Sequence, residues 1–187
     1  MISFEIEKAI EHLNKGNVIL YPTDTIWGIG CDATNAKAVS KVYTLKKRTE
    51  SKSMLCLVSE LRMLEKHVYE VPLAAYDIIE HAVKPTTIIY DKPIGVAKNL
   101  IGEDDSLGIR LVKKGFAFEL LKKFKRPLVS TSANISGFPA PKNFNEITPD
   151  ILNGVDYVVN LPDENASAKP SSIIKLKNDG QVQIIRM

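Results

Sequence analysis

The chain has 187 residues, 44% hydrophobic and 25% charged, which suits one ordinary globular domain and speaks against disorder, a coiled coil or a disulfide scaffold. Its net charge of +3, from 25 basic and 22 acidic side chains, is too small for the broad cationic footprint of a protein that coats nucleic acid, yet it permits a local cationic pocket. Cys31 and Cys56 form no C-x-x-C pair, and His12, His67 and His81 stand at no metal-ligand spacing, so the cysteines read as small buried apolar residues of a reducing compartment. The N-terminus shows no signal-type leader and no apolar run is long enough to span a bilayer. The expectation is a cytoplasmic protein with no membrane partner.

Ser3 ahead of Phe4, Ile6, Ala9, Ile10 and Leu13 predicts an amphipathic helix with Ser3 as N-cap, closed by Asn14-Lys15-Gly16. Val18 to Tyr21 predicts a buried strand halted by Pro22, after which the chain reads as a loop. Helical spacing returns from Asn35 to Lys47, with Ala38, Val39, Val42 and Leu45 on one side. Met54 to Val58 predicts a second strand, Leu61 to Val83 two helices broken near Pro72, and Thr86 to Tyr90 and Leu107 to Val112 two further strands. A helix from Lys114 to Phe124 and a strand from Pro127 to Ser130 follow, then a short helix from Ile147 to Leu152. Tyr157 to Asn160, Ser172 to Leu176 and Val182 to Arg186 predict the last strands, and Asn178-Asp179-Gly180 makes the final two a hairpin. Phe138 to Lys142 and Pro162 to Lys169 read as surface loops. The alternation, without internal repeats, predicts a single α/β domain with a twisted mixed sheet, parallel and antiparallel, flanked by helices.

Three segments carry candidate chemistry. Tyr21 to Ala33 holds hydroxyls, carboxylates and glycines directly after a buried strand, where ligands sit in α/β sheets. Its Gly28-x-Gly30-x-x-Ala33 matches a dinucleotide fingerprint only superficially, because Pro22 to Thr25 separates the glycines from the strand and no second βαβ half follows. A plain connecting loop is the bland alternative. Lys46 to Ser53 is a charge run of the kind found at solvated helix ends. Lys46 and Arg48 diverge on a helix, but if the helix stops near Leu45 both can face one cleft. Pro127 to Gly137 runs a short strand into Ser130, Thr131, Ser132, Asn134 and Ser136. These are turn formers in the bland reading, and neutral donors for phosphate or carboxylate oxygens in the functional one. Arg110 sits among apolar neighbours on a strand, where a buried cation needs an anionic partner. No G-x-x-x-x-G-K-[ST], kinase signature or G-x-S-x-G is present.

In combination and in order these segments resemble the YrdC family of threonylcarbamoyl-AMP synthases. The resemblance is carried by Tyr21-Pro22-Thr23-Asp24-Thr25 through Gly30, Lys46-x-Arg48, Pro85-x-Thr87, Gly108-Ile109-Arg110, Ser132-Ala133-Asn134-x-Ser136-Gly137 and Pro170-Ser171-Ser172. It implies a YrdC-like domain over residues 1–187 that is a nucleotidyltransferase, condensing L-threonine, bicarbonate and ATP to threonylcarbamoyl-AMP and pyrophosphate for tRNA modification. On matching positions it implies Lys46 and Arg48 as the catalytic cations and ATP phosphate ligands, with Ser106, Ser132, Asn134 and Arg186 also on the nucleotide. Thr23, Arg110, Ser130 and Ser171 would take threonine. It implies Mg²⁺ held mainly through ATP rather than by protein ligands, tRNA contact, and a downstream threonylcarbamoyl transferase complex as partner. Two segments depart from the family pattern: Thr49 follows Arg48 where proline is usual, and Val83-Lys84-Pro85-Thr86-Thr87 stands for P-G-P-x-T. The chain ends at Met187, and the expectation is the short, single-domain form. The alternatives are an RNA-binding YrdC-like module without synthase activity, and a carbamoyl-transferring relative with a different acceptor.

Overall fold

The computed structural model describes residues 1–49, 54–162, 169–177 and 180–187. Helix α1 spans Ile2–Asn14 and buries Ile6, Ala9 and Leu13, the stripe its three-and-four spacing requires. It starts at Ile2 with Met1 as the cap residue, two residues before the predicted Ser3 cap, because the Glu5 N–H already bonds the Met1 carbonyl at 3.2 Å. Gly16, at φ +72°, ends it as expected. Glu5 is buried on this helix with no ion-pair partner among the described residues. Its Oε2 instead accepts from the Tyr157 hydroxyl at 2.7 Å and the Asn160 N–H at 2.8 Å, which fastens α1 to the far end of the chain.

Strands β1 (Ile19–Pro22) and β2 (Trp27–Gly30) form an antiparallel hairpin, so four residues of the segment read as a loop are a strand. Glycines at two of its four positions hide it from any propensity argument. The glycines are there for space. A Cβ added to Gly30 would lie 2.2 Å from the Val129 carbonyl oxygen and 2.8 Å from the Tyr21 ring. Both glycines stand within a strand and not at a helix N-terminus, so the dinucleotide fingerprint is excluded. Gly30→Ala is expected to destabilise the fold by about 3 kcal/mol or more, since backbone rather than a movable side chain must yield, and urea unfolding measures it.

Helix α2 (Ala36–Leu45) is capped by Asn35, whose Oδ1 accepts from the Lys37 and Ala38 N–H groups. There follow β3 (Leu55–Val58), α3 (Leu61–Glu65), α4 (Leu73–His81, with Pro72 at its cap), β4 (Thr86–Asp91) and β5 (Ser106–Leu111). Then come α5 (Phe116–Phe124), β6 (Leu128–Ser132), α6 (Pro149–Gly154), β7 (Tyr157–Val158), β8 (Ser172–Leu176) and β9 (Val182–Arg186). The predicted helix over 147–152 is displaced because Pro149 takes a first-turn position, and the strand predicted over 157–160 pairs only through Tyr157 and Val158. Asn178 and Asp179 of the predicted turn lie outside the described residues, but β8 and β9 pair antiparallel as expected.

Among the described residues nine strands make one sheet in the order β7-β1-β2-β6-β3-β5-β4-β8-β9. It is mixed: β1/β7, β3/β5 and β4/β8 are parallel and the other neighbours antiparallel. Helices α1 and α5 pack on each other and on β1, α5 also reaches β3, and α3 packs on β3 and β5. One contiguous core results, and both cysteines are buried within it as expected.

Candidate active site

A cavity of about 300 Å³ opens over the middle of the sheet. Its floor comes from six strands that are consecutive in the sheet, with Gly28 on β2, Ser130 on β6, Leu55 on β3, Gly108 on β5, Thr87 on β4 and Ile173 on β8. Period-two alternation brings these residues to one face, and register puts Gly108 opposite Ile89 and Thr87 opposite Ile173. The two glycines keep the floor open. A Cβ at Gly28 would stand 3.3 Å from Ser130 Oγ, and one at Gly108 would stand 3.2 Å from Thr87 Cγ2.

The cationic segment reaches this cavity through the way α2 ends. Lys47 adopts the left-handed region at φ +50°, the Lys47 N–H bonds the Thr44 carbonyl and the Arg48 N–H bonds the Tyr43 carbonyl. That is a Schellman ending with lysine where glycine is favoured. It stops the helix at Leu45, as the cleft reading of Lys46 and Arg48 requires. Lys47→Gly is expected to stabilise the protein by roughly 0.5–1 kcal/mol, and Lys47→Val to destabilise it by at least as much, in the same urea measurement.

Beyond this turn the two cations part. Arg48 lines the cavity. Lys46 is only 1% exposed, and its ammonium donates to the carbonyls of Ser132 at 2.6 Å and Asn134 at 2.5 Å. The Lys46 carbonyl in turn accepts from the Ser136 N–H at 2.9 Å. The K-x-R segment and the S-x-N loop are thus stitched together, although 86 residues separate Lys46 from Ser132. Burial, aided by the charge of Arg48, lowers the Lys46 pKa to about 8. Asn134 shapes the same loop, donating from Nδ2 to the Ile135 and Phe138 carbonyls, while its Oδ1 is buried with no hydrogen-bond partner among the described residues.

Across the floor, Arg110 is 3% exposed and pairs through Nη1 with Asp24 Oδ1 at 2.5 Å. Thr23 Oγ1 lies 2.9 Å from Thr25 Oγ1 and 2.7 Å from the Ile26 carbonyl, knotting the loop between β1 and β2. Thr87 and Ser171 share a hydroxyl contact of 2.9 Å, and Arg186 arches from β9 with Nε and Nη2 on the Ser171 carbonyl.

Of the ten residues singled out from the sequence, Thr23, Arg48, Arg110, Ser130, Ser132, Ser171 and Arg186 line the cavity. Lys46, Ser106 and Asn134 do not. Ser106 shares the Gly108 and Arg110 face of β5, two and four residues along, and donates to Asp104, which also takes the Lys175 ammonium at 2.6 Å. Sequence reasoning missed Trp27, Ile26, Ile89 and Ile173 as walls, and it missed Asp24 as the partner of Arg110. The partner was signalled only as a requirement that some anion meet the buried arginine. Glu50, Ser51, Lys52 and Ser53 of the charge run lie outside the described residues. Among the described residues no group of three His, Cys, Asp or Glu side chains could hold a metal. No helix among them is long and apolar enough to cross a membrane.

A concave face with three arginines, a row of hydroxyls and apolar side walls, at the centre of a mixed sheet, defines a binding domain for anionic small molecules. The family model described as "Telomere recombination", the Sua5/YciO/YrdC domain, matches residues 11–187, and the chain belongs to this family. It is 37% identical over 184 residues to a Methanocaldococcus jannaschii protein named "Putative threonylcarbamoyl-AMP synthase", covering 96% of this chain and 86% of that one. It is 30% identical over 171 residues to the threonylcarbamoyl-AMP synthase of Shigella boydii, covering 90% and 89%. The fold matches that of P. abyssi Sua5, solved with L-threonine, at a TM-score of 0.83 and 24% identity over 91% of this chain, which spans 50% of the Sua5 chain.

Proposed function

We propose that this protein is a threonylcarbamoyl-AMP synthase that condenses L-threonine, bicarbonate and ATP at the cavity described above. The observation that carries the reading is the convergence of Arg48, the Ser132 loop and Arg110 on one cavity, in a chain whose relatives bear that name. The threonine amine and bicarbonate give a carbamate with loss of water. A carbamate oxygen then bonds to the α-phosphorus of ATP, and the bond from that phosphorus to the bridging oxygen breaks to release pyrophosphate.

Two anions must meet in this step, so charge shielding and alignment outweigh any need for a general base. Arg48 would hold the triphosphate, with the Ser132 hydroxyl beside it and Lys46 adding charge beneath the loop. Ser106, Asn134 and Arg186 complete the proposed nucleotide set, the first two through the loops they hold. Arg110 would take the threonine carboxylate, with Thr23, Ser130 and Ser171 around it. Mg²⁺ would arrive on ATP and spread phosphate charge, because the described residues offer hydroxyls here and no carboxylate cage. The product suits a downstream transferase acting on tRNA. Incubation with ATP and bicarbonate is expected to release pyrophosphate only when threonine is added; release at the same rate without threonine counts against the reading.

A further inference from the structure

Arg110 is held in an unusual way for a buried cation. A lone arginine–carboxylate pair gains most from a two-point fork. Here Asp24 Oδ1 meets Nη1 alone, and Nε is buried with no hydrogen-bond partner among the described residues. An orphaned N–H on a buried guanidinium is costly unless something else is meant to meet it. Asp24 itself, with its side chain 11% exposed, is not on the cavity wall, whereas Arg110 and the flanking Thr23 and Thr25 are. Its own freedom is small. Thr23 Oγ1 accepts from the Thr25 N–H at 3.1 Å, touches Thr25 Oγ1 and reaches the Ile26 carbonyl, so the residues on either side of Asp24 are tied to each other.

We propose that Asp24 is a positioning residue, which pins one terminal nitrogen of Arg110 so that the remaining N–H edge is presented to the carboxylate of the amino-acid substrate. Asp24 also balances the Arg110 charge before substrate arrives, which lets the cation stay buried and its plane stay fixed. The substrate carboxylate then adds to the guanidinium and does not displace Asp24. The inference rests on the proposed reading of the cavity as an amino-acid site.

The test is calorimetric binding of L-threonine and of L-threonine amide, which lacks the carboxylate, to the full chain and to Asp24→Asn. The wild-type protein is expected to bind threonine at least about tenfold more tightly than the amide, the worth of one charged hydrogen-bond pair. In Asp24→Asn threonine should weaken about tenfold and the preference should fall below about threefold, with ATP affinity within about twofold of wild type. An unchanged preference, or equal loss of threonine and ATP binding, overturns the role of Asp24. If Asp24→Asn does not fold by circular dichroism, Asp24→Glu decides: moving the carboxylate by one methylene should still erode the preference about threefold, and an unchanged one overturns the proposal. A wild-type protein that binds neither ligand refutes the amino-acid site itself, a separate result from either of these.

Discussion

Lys46→Met is expected to lower synthase turnover by about a hundredfold or more and to cost roughly 3 kcal/mol of stability. Methionine fills much of the same volume, so packing is nearly conserved and the loss falls on the polar contacts. The carbonyls of Ser132 and Asn134 would face a buried thioether in place of an ammonium at 2.6 and 2.5 Å. The loop that presents Ser132 to the cavity would lose its side-chain tie to the K-x-R segment. Pyrophosphate release and urea unfolding on the same preparation measure the two effects. The wild-type pH profile supplies a second check. Lys46 titrates near 8 in the fold against an ordinary value of 10.5, so between these values the unfolded chain binds more protons than the folded one. Stability contributed by this group therefore rises as pH goes from 8 to 10.5, while turnover that depends on its charge falls above about 8. A thermal midpoint that dropped in step with activity through that window would contradict the assignment.

Arg110→Leu is the second change with a large expected effect. It leaves the Asp24 carboxylate without its cation in a site where that side chain is 11% exposed, a loss of about 3–5 kcal/mol by analogy with other broken buried pairs. If enough protein folds, the KM for threonine should rise by a hundredfold or more while the KM for ATP moves by less than about threefold. Arg110→Leu combined with Asp24→Leu should recover much of the stability, since neither charge is then stranded, and none of the threonine affinity. Steady-state kinetics on the two variants separates the contribution to folding from the contribution to binding.

The α/β class and the mixed sheet were legible because the apolar runs of β1, β3 and β5 end in the buried core they call for, and β8 and β9 pair antiparallel as read although β9 is exposed. The β2 strand was not, because its glycines are selected by the closeness of the Val129 carbonyl, a contact 99 positions away that no local pattern encodes. At the site, seven of ten candidate residues reach the cavity because their motifs lie on or beside sheet strands or, for Arg48, three residues past the end of α2, where spacing predicts direction. Lys46 and Asn134 are off the wall for one physical reason: the loop's own carbonyls compete for their donors and win. A sequence names the donors and leaves open which acceptors they meet. The same holds for Arg110, whose need for an anion was readable while the identity of Asp24 depended on how the β1–β2 loop folds back over the sheet.

The proposed function makes the cavity lined by Arg48 and Ser132 the place where threonine is joined to the α-phosphate of ATP. Mass spectrometry of the reaction mixture tests this directly, with wild-type protein and Arg48→Ala supplied with threonine, bicarbonate and ATP. Threonylcarbamoyl-AMP should accumulate with the wild-type protein only when all three substrates are present, and fall at least about a hundredfold with Arg48→Ala. Equal product from both proteins, or none from a folded wild-type protein that binds ATP and threonine, would contradict it.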